Sequence, residues 1–474
     1  MTADTSFQLP VTELRDKIVR KEVSPVELVK LYLDRIEKYD KTLNSYITVC
    51  ADSALREAKA AEEQLSQQQD FGPLFGIPYA IKDQVFTDGI LTSNGSTIYS
   101  DFIPQFNGTV EARLKSAGGI LLGKLNMSEF ASGDASDHPY GLPKNPWDIS
   151  RNAGTSSSGS GIAASADLSA FVLGEDTGGS IRGPAAFCGL AGIRPSFGRV
   201  SRYGVFGASW SMDTVGPLSR YVKDSALVLS IIAGYDSNDP YSSKQPVPQY
   251  ASLLNSDISK LKIGLIKERM DPSWGEQDVF DRFNVAVNDL KNLGADVVEV
   301  SLPNIDHSAV ASATLINIDA SYLNNELIRT SLSDFDYNNQ IRLLSGAMLP
   351  AAVHKKINAL REIVRKEILQ ILEEVDVLVL PTSPIVAPKI PVKKGMESTQ
   401  EMIDSFGGRR QFTSPFNLAN VPAMSVCCGF SDAGMPVGMQ IVSKPFAEQT
   451  IFDVAYAYES ATDWHKMRPD LDTL

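Results

Sequence analysis

Gly154-Thr155-Ser156-Ser157-Ser158-Gly159-Ser160-Gly161, followed by Gly174-Glu175-Asp176-Thr177-Gly178-Gly179-Ser180-Ile181-Arg182-Gly183-Pro184, is where this chain departs furthest from ordinary composition. Residues 154–204 hold 11 of the 34 glycines. Three readings compete for the first stretch. A flexible Gly/Ser linker needs no apolar packing, yet the chain turns apolar at once, from Ile162 to Val172. A phosphate loop has the glycine spacing, Gly154 and Gly159, but Ser160-Gly161 stands where that loop requires Lys-Ser/Thr. A catalytic loop fits better, because glycines let backbone N–H groups approach a substrate and several hydroxyls sit among them. The second stretch supports that reading. Thr177, Gly178, Gly179 and Ser180 form a small turn whose consecutive N–H groups are expected to converge on one oxygen, as an oxyanion hole requires. Asp176 and Arg182 flank the turn and are expected to pair and brace it.

Outward from this region, strand and helix patterns alternate. Ser24-Pro25-Val26-Glu27 opens a helix with a capping box and proline at its first position. Leu28, Leu31, Tyr32, Ile36 and Tyr39 continue it at helical spacing, and residues 51–68 suit a second helix. Residues 118–124 and 261–266 read as strands. Residues 279–293 read as an amphipathic helix stopped by Gly294, with a strand over 297–301. Residues 355–374 read as a charged helix leading into a buried strand, Val377-Leu378-Val379-Leu380-Pro381. The alternation predicts an α/β fold, a central mixed β-sheet flanked by helices. No internal repeat or long linker divides the chain. The expectation is one domain over 1–474, with a helical segment 1–68 packed on a core of 70–474. Residues 388–402 are expected to form an exposed excursion.

Composition excludes several classes. The chain has 474 residues, 44 Lys plus Arg against 57 Asp plus Glu, and a net charge of −13. Phosphate contacts need clustered basic residues, so the expectation is a small-molecule substrate with no nucleic acid contacted directly. No apolar run reaches the ~18 residues of a membrane span. The N-terminus, MTADTSFQLP, has neither a basic nor an apolar signal region. Cys50, Cys188, Cys427 and Cys428 make no disulfide framework, and a cytoplasmic location with reduced thiols is expected. His138, His307, His354 and His465 are widely separated, with no HxH or HExxH pair. No metal and no cofactor are expected. A Ser-His-Asp hydrolase stays arithmetically possible.

The Gly/Ser loop and Asp-Thr-Gly-Gly-Ser-Ile-Arg, with 24 residues from Ser156 to Ser180, resemble the amidase signature family. Gly76-Ile77-Pro78-Tyr79-Ala80-Ile81-Lys82-Asp83 is similar to that family's lysine motif. Residues 123–130, Asn145-Pro146-Trp147-Asp148, Gly198-Arg199-Val200-Ser201, residues 213–217, Pro415-Phe416-Asn417 and Pro436-Val437-Gly438-Met439-Gln440 resemble further blocks. The matches run from about residue 70 to 445. The resemblance implies the amidase signature fold and a Ser–cis-Ser–Lys arrangement in place of a histidine triad. Ser180 matches the nucleophile, Ser156 the bridging serine and Lys82 the base. Thr177, Gly178, Gly179 and Ser180 match the oxyanion hole. Ser157 and the segment Ala131, Ser132 and Gly133 match positions near the substrate. Thr155 and Ser158 replace two glycines of the family's usual Gly-Gly-Ser-Ser-Gly-Gly, but both serine positions are kept.

The physics of the trio is coherent. A serine hydroxyl is a weak nucleophile until a base takes its proton. Lysine serves only when neutral, so its pKa must fall well below about 10.4, and burial does this. The family contains stand-alone amidases and the glutaminase component of glutamyl-tRNA amidotransferase, its A chain, and the DTGGSIR and SRYG segments resemble that component closely. In Phe406–Thr413, however, Arg410 stands where that component carries an acidic residue. Arginine repels a substrate α-ammonium, which favours a stand-alone amidase acting on a neutral small amide; carbamates and esters would undergo the same acyl transfer. Residues 302–350 and 385–412 match the family blocks least and are expected to shape the pocket. A homodimer is a further expectation, from its frequency among soluble enzymes.

Overall fold

The structure is a computed structural model and describes residues 7–67, 71–132, 138–391, 408 and 410–473. Among these, eleven strands form one mixed sheet: β1 (Tyr46–Val49), β2 (Pro78–Lys82), β3 (Ile120–Leu125), β4 (Phe171–Asp176), β5 (Ala191–Arg194), β6 (Thr214–Ser219), β7 (Lys262–Ile266), β8 (Asp296–Val300), β9 (Val377–Pro381), β10 (Ala423–Phe430) and β11 (Pro436–Ser443). Their order is β1-β3-β2-β4-β6-β5-β10-β11-β9-β7-β8. β2 runs parallel to both β3 and β4, and β7 runs parallel to β8 and β9. The other pairs are antiparallel. Every residue of β2, β3, β4, β9 and β11 is buried. Helices therefore cover both faces at the centre, which is why these strands read as continuous apolar runs. The edge strand β8 has no fully buried residue.

The helix Pro25–Leu43 starts as its sequence dictates: Ser24 Oγ accepts from the N–H of Val26 at 3.1 Å and of Glu27 at 3.2 Å. Leu28 and Tyr32 of this helix, and Ala54 of the helix Ala51–Gln64, share one buried cluster with Ile81 and Leu173 of the sheet. The helix Gln277–Asn292 ends before Gly294, whose φ of +96° suits glycine. The helix Ala351–Glu374 leads into β9. Residues 302–350 contribute the helices Ser308–Leu323, Asn325–Thr330 and Tyr337–Met348. Of the expected excursion at 388–402, residues 392–402 lie outside the described residues, and Lys389 is exposed, bridged to Arg151.

One feature of the topology positions the site. Because β2 and β4 are parallel, with Ile81 paired to Leu173, their carboxyl ends reach the same edge of the sheet. Lys82 and the pair Glu175-Asp176 finish there side by side. Open α/β sheets bind ligands at such ends.

Candidate active site

The Gly/Ser loop is packed tightly. It leads into the helix Ser158–Ser165, all of whose residues are buried, and Ser160 Oγ donates to Leu173 O of β4 at 3.0 Å. A Cβ at Gly159 would lie 2.3 Å from Ser45 O and 2.5 Å from Asn126 N, so only glycine lets the chains approach. The Thr155–Ser156 peptide is cis, and Ser156 O accepts from Ser128 N at 3.1 Å. Lys82 Nζ reaches this loop and lies 2.8 Å from Ser156 Oγ. Lys82 is 0% exposed. Burial pushes its pKa down, while the neighbouring Glu175 carboxylate pulls it up; the net direction is down.

Ser180 is partly exposed, in the turn between β4 and the helix Arg182–Cys188. Gly179 has φ +121°, and a Cβ there would meet Thr413 Oγ1 at 2.5 Å. Thr413 Oγ1 in turn donates to Gly178 O at 2.8 Å. Gly179 N–H donates to Asp176 Oδ1 at 2.9 Å and is committed to the scaffold. Among the described residues, the N–H groups of Gly178 and Ser180 form no hydrogen bond. With the N–H of Thr177, which is likewise unbonded among the described residues, they are the free donors of the turn.

Asp176 and Arg182 meet under this turn, both fully buried. Arg182 Nε donates to Asp176 Oδ2 at 3.1 Å and Nη2 to Oδ1 at 3.0 Å, a bidentate pair. Burial alone would push the Asp176 carboxyl up, but Arg182 and Arg194 hold it well below the usual carboxylate range. The pair also gathers distant motifs. Asn417 Nδ2 donates to Asp176 at 2.7 Å, and Arg182 Nη1 donates to Thr413 O at 3.0 Å. Gln440 and Asn417 accept from Arg182 as well. The blocks around 415–417 and 436–440 thus lock the turn.

Other expected site residues are placed differently. Ser157 is fully buried, its Oγ donating to Glu175 O at 3.2 Å and accepting from Glu175 N at 3.3 Å, so the hydroxyl serves the strand. Ala131 and Ser132 are partly exposed, and Ser132 Oγ accepts from Arg342 at 3.5 Å. Gly133 lies outside the described residues. Thr177 Oγ1 turns inward, to Glu175 Oε1 at 2.6 Å and Asp213 Oδ1 at 2.8 Å. Sequence reasoning missed Glu175, whose Oε2 accepts from Lys82 Nζ at 3.3 Å. The signal was two consecutive acids ending an otherwise apolar strand, Phe171-Val172-Leu173-Gly174-Glu175-Asp176. Among the described residues no group of three or more His, Cys, Asp or Glu is arranged to hold a metal. No helix among them is long and apolar enough to cross a membrane.

The chain is 39% identical to the A chain of the glutamyl-tRNA(Gln) amidotransferase of Gloeothece citriformis (strain PCC 7424), covering 97% of this chain and 99% of that one. It superposes on the crystal structure of the corresponding chain from Thermotoga maritima with TM-score 0.80 at 30% identity, covering 99% and 98% of the two chains. The peptide amidase of Stenotrophomonas maltophilia gives TM-score 0.83 at 28% identity, covering 98% of each. The large mixed sheet is thus the amidase signature fold. These relatives correct the expectation of a chain that serves only a small-molecule amide with no nucleic acid contacted directly, since proteins similar over their full length are components of an enzyme named for glutamyl-tRNA. The physical reason is that the net charge of one component does not describe the surface of an assembly. The Amidase family's sequence profile matches residues 27–452, and this chain belongs to that family.

Proposed function

We propose that the chain is the glutaminase component of a glutamyl-tRNA amidotransferase, releasing ammonia from glutamine through an acyl-enzyme on Ser180. The observation that carries the chemistry is the buried 2.8 Å contact between Lys82 Nζ and Ser156 Oγ. Neutral Lys82 takes the Ser180 proton by way of Ser156, and Ser180 Oγ attacks the carboxamide carbon. The N–H groups of Gly178 and Ser180 receive the developing oxyanion. The proton returns through Ser156 to the leaving ammonia, and water then clears the glutamyl ester. Similarity over the full length of the amidotransferase A chains supports the assembly. The test is ammonia release from glutamine by the purified chain with and without its partner subunits. Stimulation by the partners supports the reading; hydrolysis of simple amides by the isolated chain, with no turnover of glutamine in any assembly, overturns it.

One observation favours a second reading, a free-standing amidase. Arg410 opens the helix Arg410–Ala419 three residues before Thr413, where the amidotransferase component carries an acid. This charge repels a substrate α-ammonium and selects a carboxamide lacking one. Turnover of propionamide or benzamide above glutamine by the isolated chain would favour it.

A further inference from the structure

Strand alternation puts Glu175 and Asp176 on opposite faces of β4. Asp176 meets Arg182 below the turn, whereas Glu175 meets Lys82. Glu175 is 1% exposed. Its Oε2 accepts from Lys82 Nζ at 3.3 Å and its Oε1 accepts from Thr177 Oγ1 at 2.6 Å. Thr177 Oγ1 also lies 2.8 Å from Asp213 Oδ1. A hydroxyl has one proton to donate, so both contacts are hydrogen bonds only when one of the two carboxyl groups is itself protonated. Burial, and then the charge of Glu175, push Asp213 up to about 7. Glu175 is the carboxyl group that faces the lysine.

The surrounding charges are accounted for. Asp176 is neutralised by Arg182 and Arg194. Arg194 Nη1 donates to the carbonyls of Asp176 and Met212. Arg202 lies toward Asp213 and pairs with Asp239 at 3.7 Å. Glu175 and Asp213 also line a cavity of 270 Å³ with Arg202, Trp210 and Tyr241.

We propose that Glu175 is a positioning residue for the reaction: it holds Lys82 against Ser156 and supplies the counter-charge for the ammonium that forms when Lys82 takes the Ser180 proton. The proposal rests on the reading of Lys82 as the base. In acylation one proton leaves Ser180 Oγ, and Ser156 Oγ accepts it while passing its own to Lys82 Nζ. The Ser180 oxygen forms its bond to the carbonyl carbon, whose π pair moves onto the oxyanion. Net charge is unchanged, and the new ammonium is paired with Glu175 instead of being buried alone. Without that carboxylate the lysine is a weaker base whose neutral form persists to lower pH.

The test is the pH profile of kcat/KM on the full chain, assembled with partner subunits where turnover needs them. Glu175→Gln is expected to move the acid limb down by about one pH unit or more and to lower the plateau by about tenfold or more, the size of effect expected for a weakened general base. Glu175→Ser removes the same charge with a smaller side chain and carries the test should the Gln variant not fold. Glu175→Asp keeps the charge and should leave the limb at the wild-type position. An unmoved limb in the folded carboxylate-free variants overturns the proposal, because a merely structural role would lower activity without displacing the limb. Ser180→Ala in parallel separates the two readings. Retained turnover there removes the acyl-enzyme mechanism itself; loss of turnover there with an unmoved limb in the Glu175 variants removes only the role of Glu175.

Discussion

Two lysines, Lys82 and Lys124, are fully buried on neighbouring parallel strands, each beside a carboxylate. Ile81 is registered with Lys124, so Lys82, one residue on, points to the opposite face. Burial pushes both ammonium pKa values down and a carboxylate pulls each up. The difference lies in the other neighbours. Lys124 Nζ donates to Val85 O and Thr92 Oγ1, each at 2.7 Å, with Asp83 Oδ1 at 3.6 Å. Asp83 in turn accepts from Ser93 N and Oγ at 2.8 and 2.6 Å. Lys124 is the brace of a loop. Lys82 instead faces the hydroxyl of Ser156 in the Gly/Ser loop, whereas the Thr92 hydroxyl beside Lys124 commits its own proton to Ile90 O at 3.2 Å within the braced loop. A buried lysine serves as a base only where such a neighbour connects it to the reaction.

This contrast is open to attack in order of effect. Ser180→Ala should lower turnover by about 10⁴-fold or more while leaving the protein folded, since the nucleophile of a serine hydrolase acts as a unit with its base; steady-state ammonia release measures it. Lys82→Met should cost about 10²–10⁴-fold in kcat, the range for loss of a general base. Lys124→Met should do the reverse. Turnover per folded molecule should stay within a few-fold, but stability should fall by about 3–5 kcal/mol in urea titrations, because Asp83 is left charged and buried without its partner. Equal catalytic losses in the two lysine variants would dissolve the distinction.

The smallest effect concerns burial of a carboxyl that, among the described residues, has no cation close enough to form an ion pair. Asp224, buried, accepts from Val11 N at 2.9 Å, and burial pushes it up to about 7. Its folded pKa exceeds the unfolded one, so the stability it contributes is full below the ordinary carboxylate value and is lost as pH rises toward 7. Asp224→Asn should raise Tm by a few degrees at pH 8 and not at pH 4.

Much of this was legible in the sequence, for local reasons. Ser24 with Pro25 announces its helix, and runs such as Val377–Leu380 announce strands covered on both faces. The strand order was not legible, since β10 pairs with β5 across more than 200 residues. At the site, the Gly178-Gly179 turn and the Asp176–Arg182 pair follow from short-range chemistry. The engagement of Ser157 with β4 and the turn of Thr177 toward Asp213 depend on how separate segments stack. Glu175 was hidden for a simpler reason: an acid at a strand end usually faces water. Here alternation turns it inward onto Lys82.

The most direct test maps where a fluorophosphonate reacts, by peptide mass spectrometry, in the wild-type chain and in Lys82→Met. The account predicts rapid modification of Ser180 in the wild type and modification slowed by about 10²-fold or more without Lys82, as loss of a general base requires. Modification at another serine, or undiminished labelling of Ser180 in Lys82→Met, would contradict it.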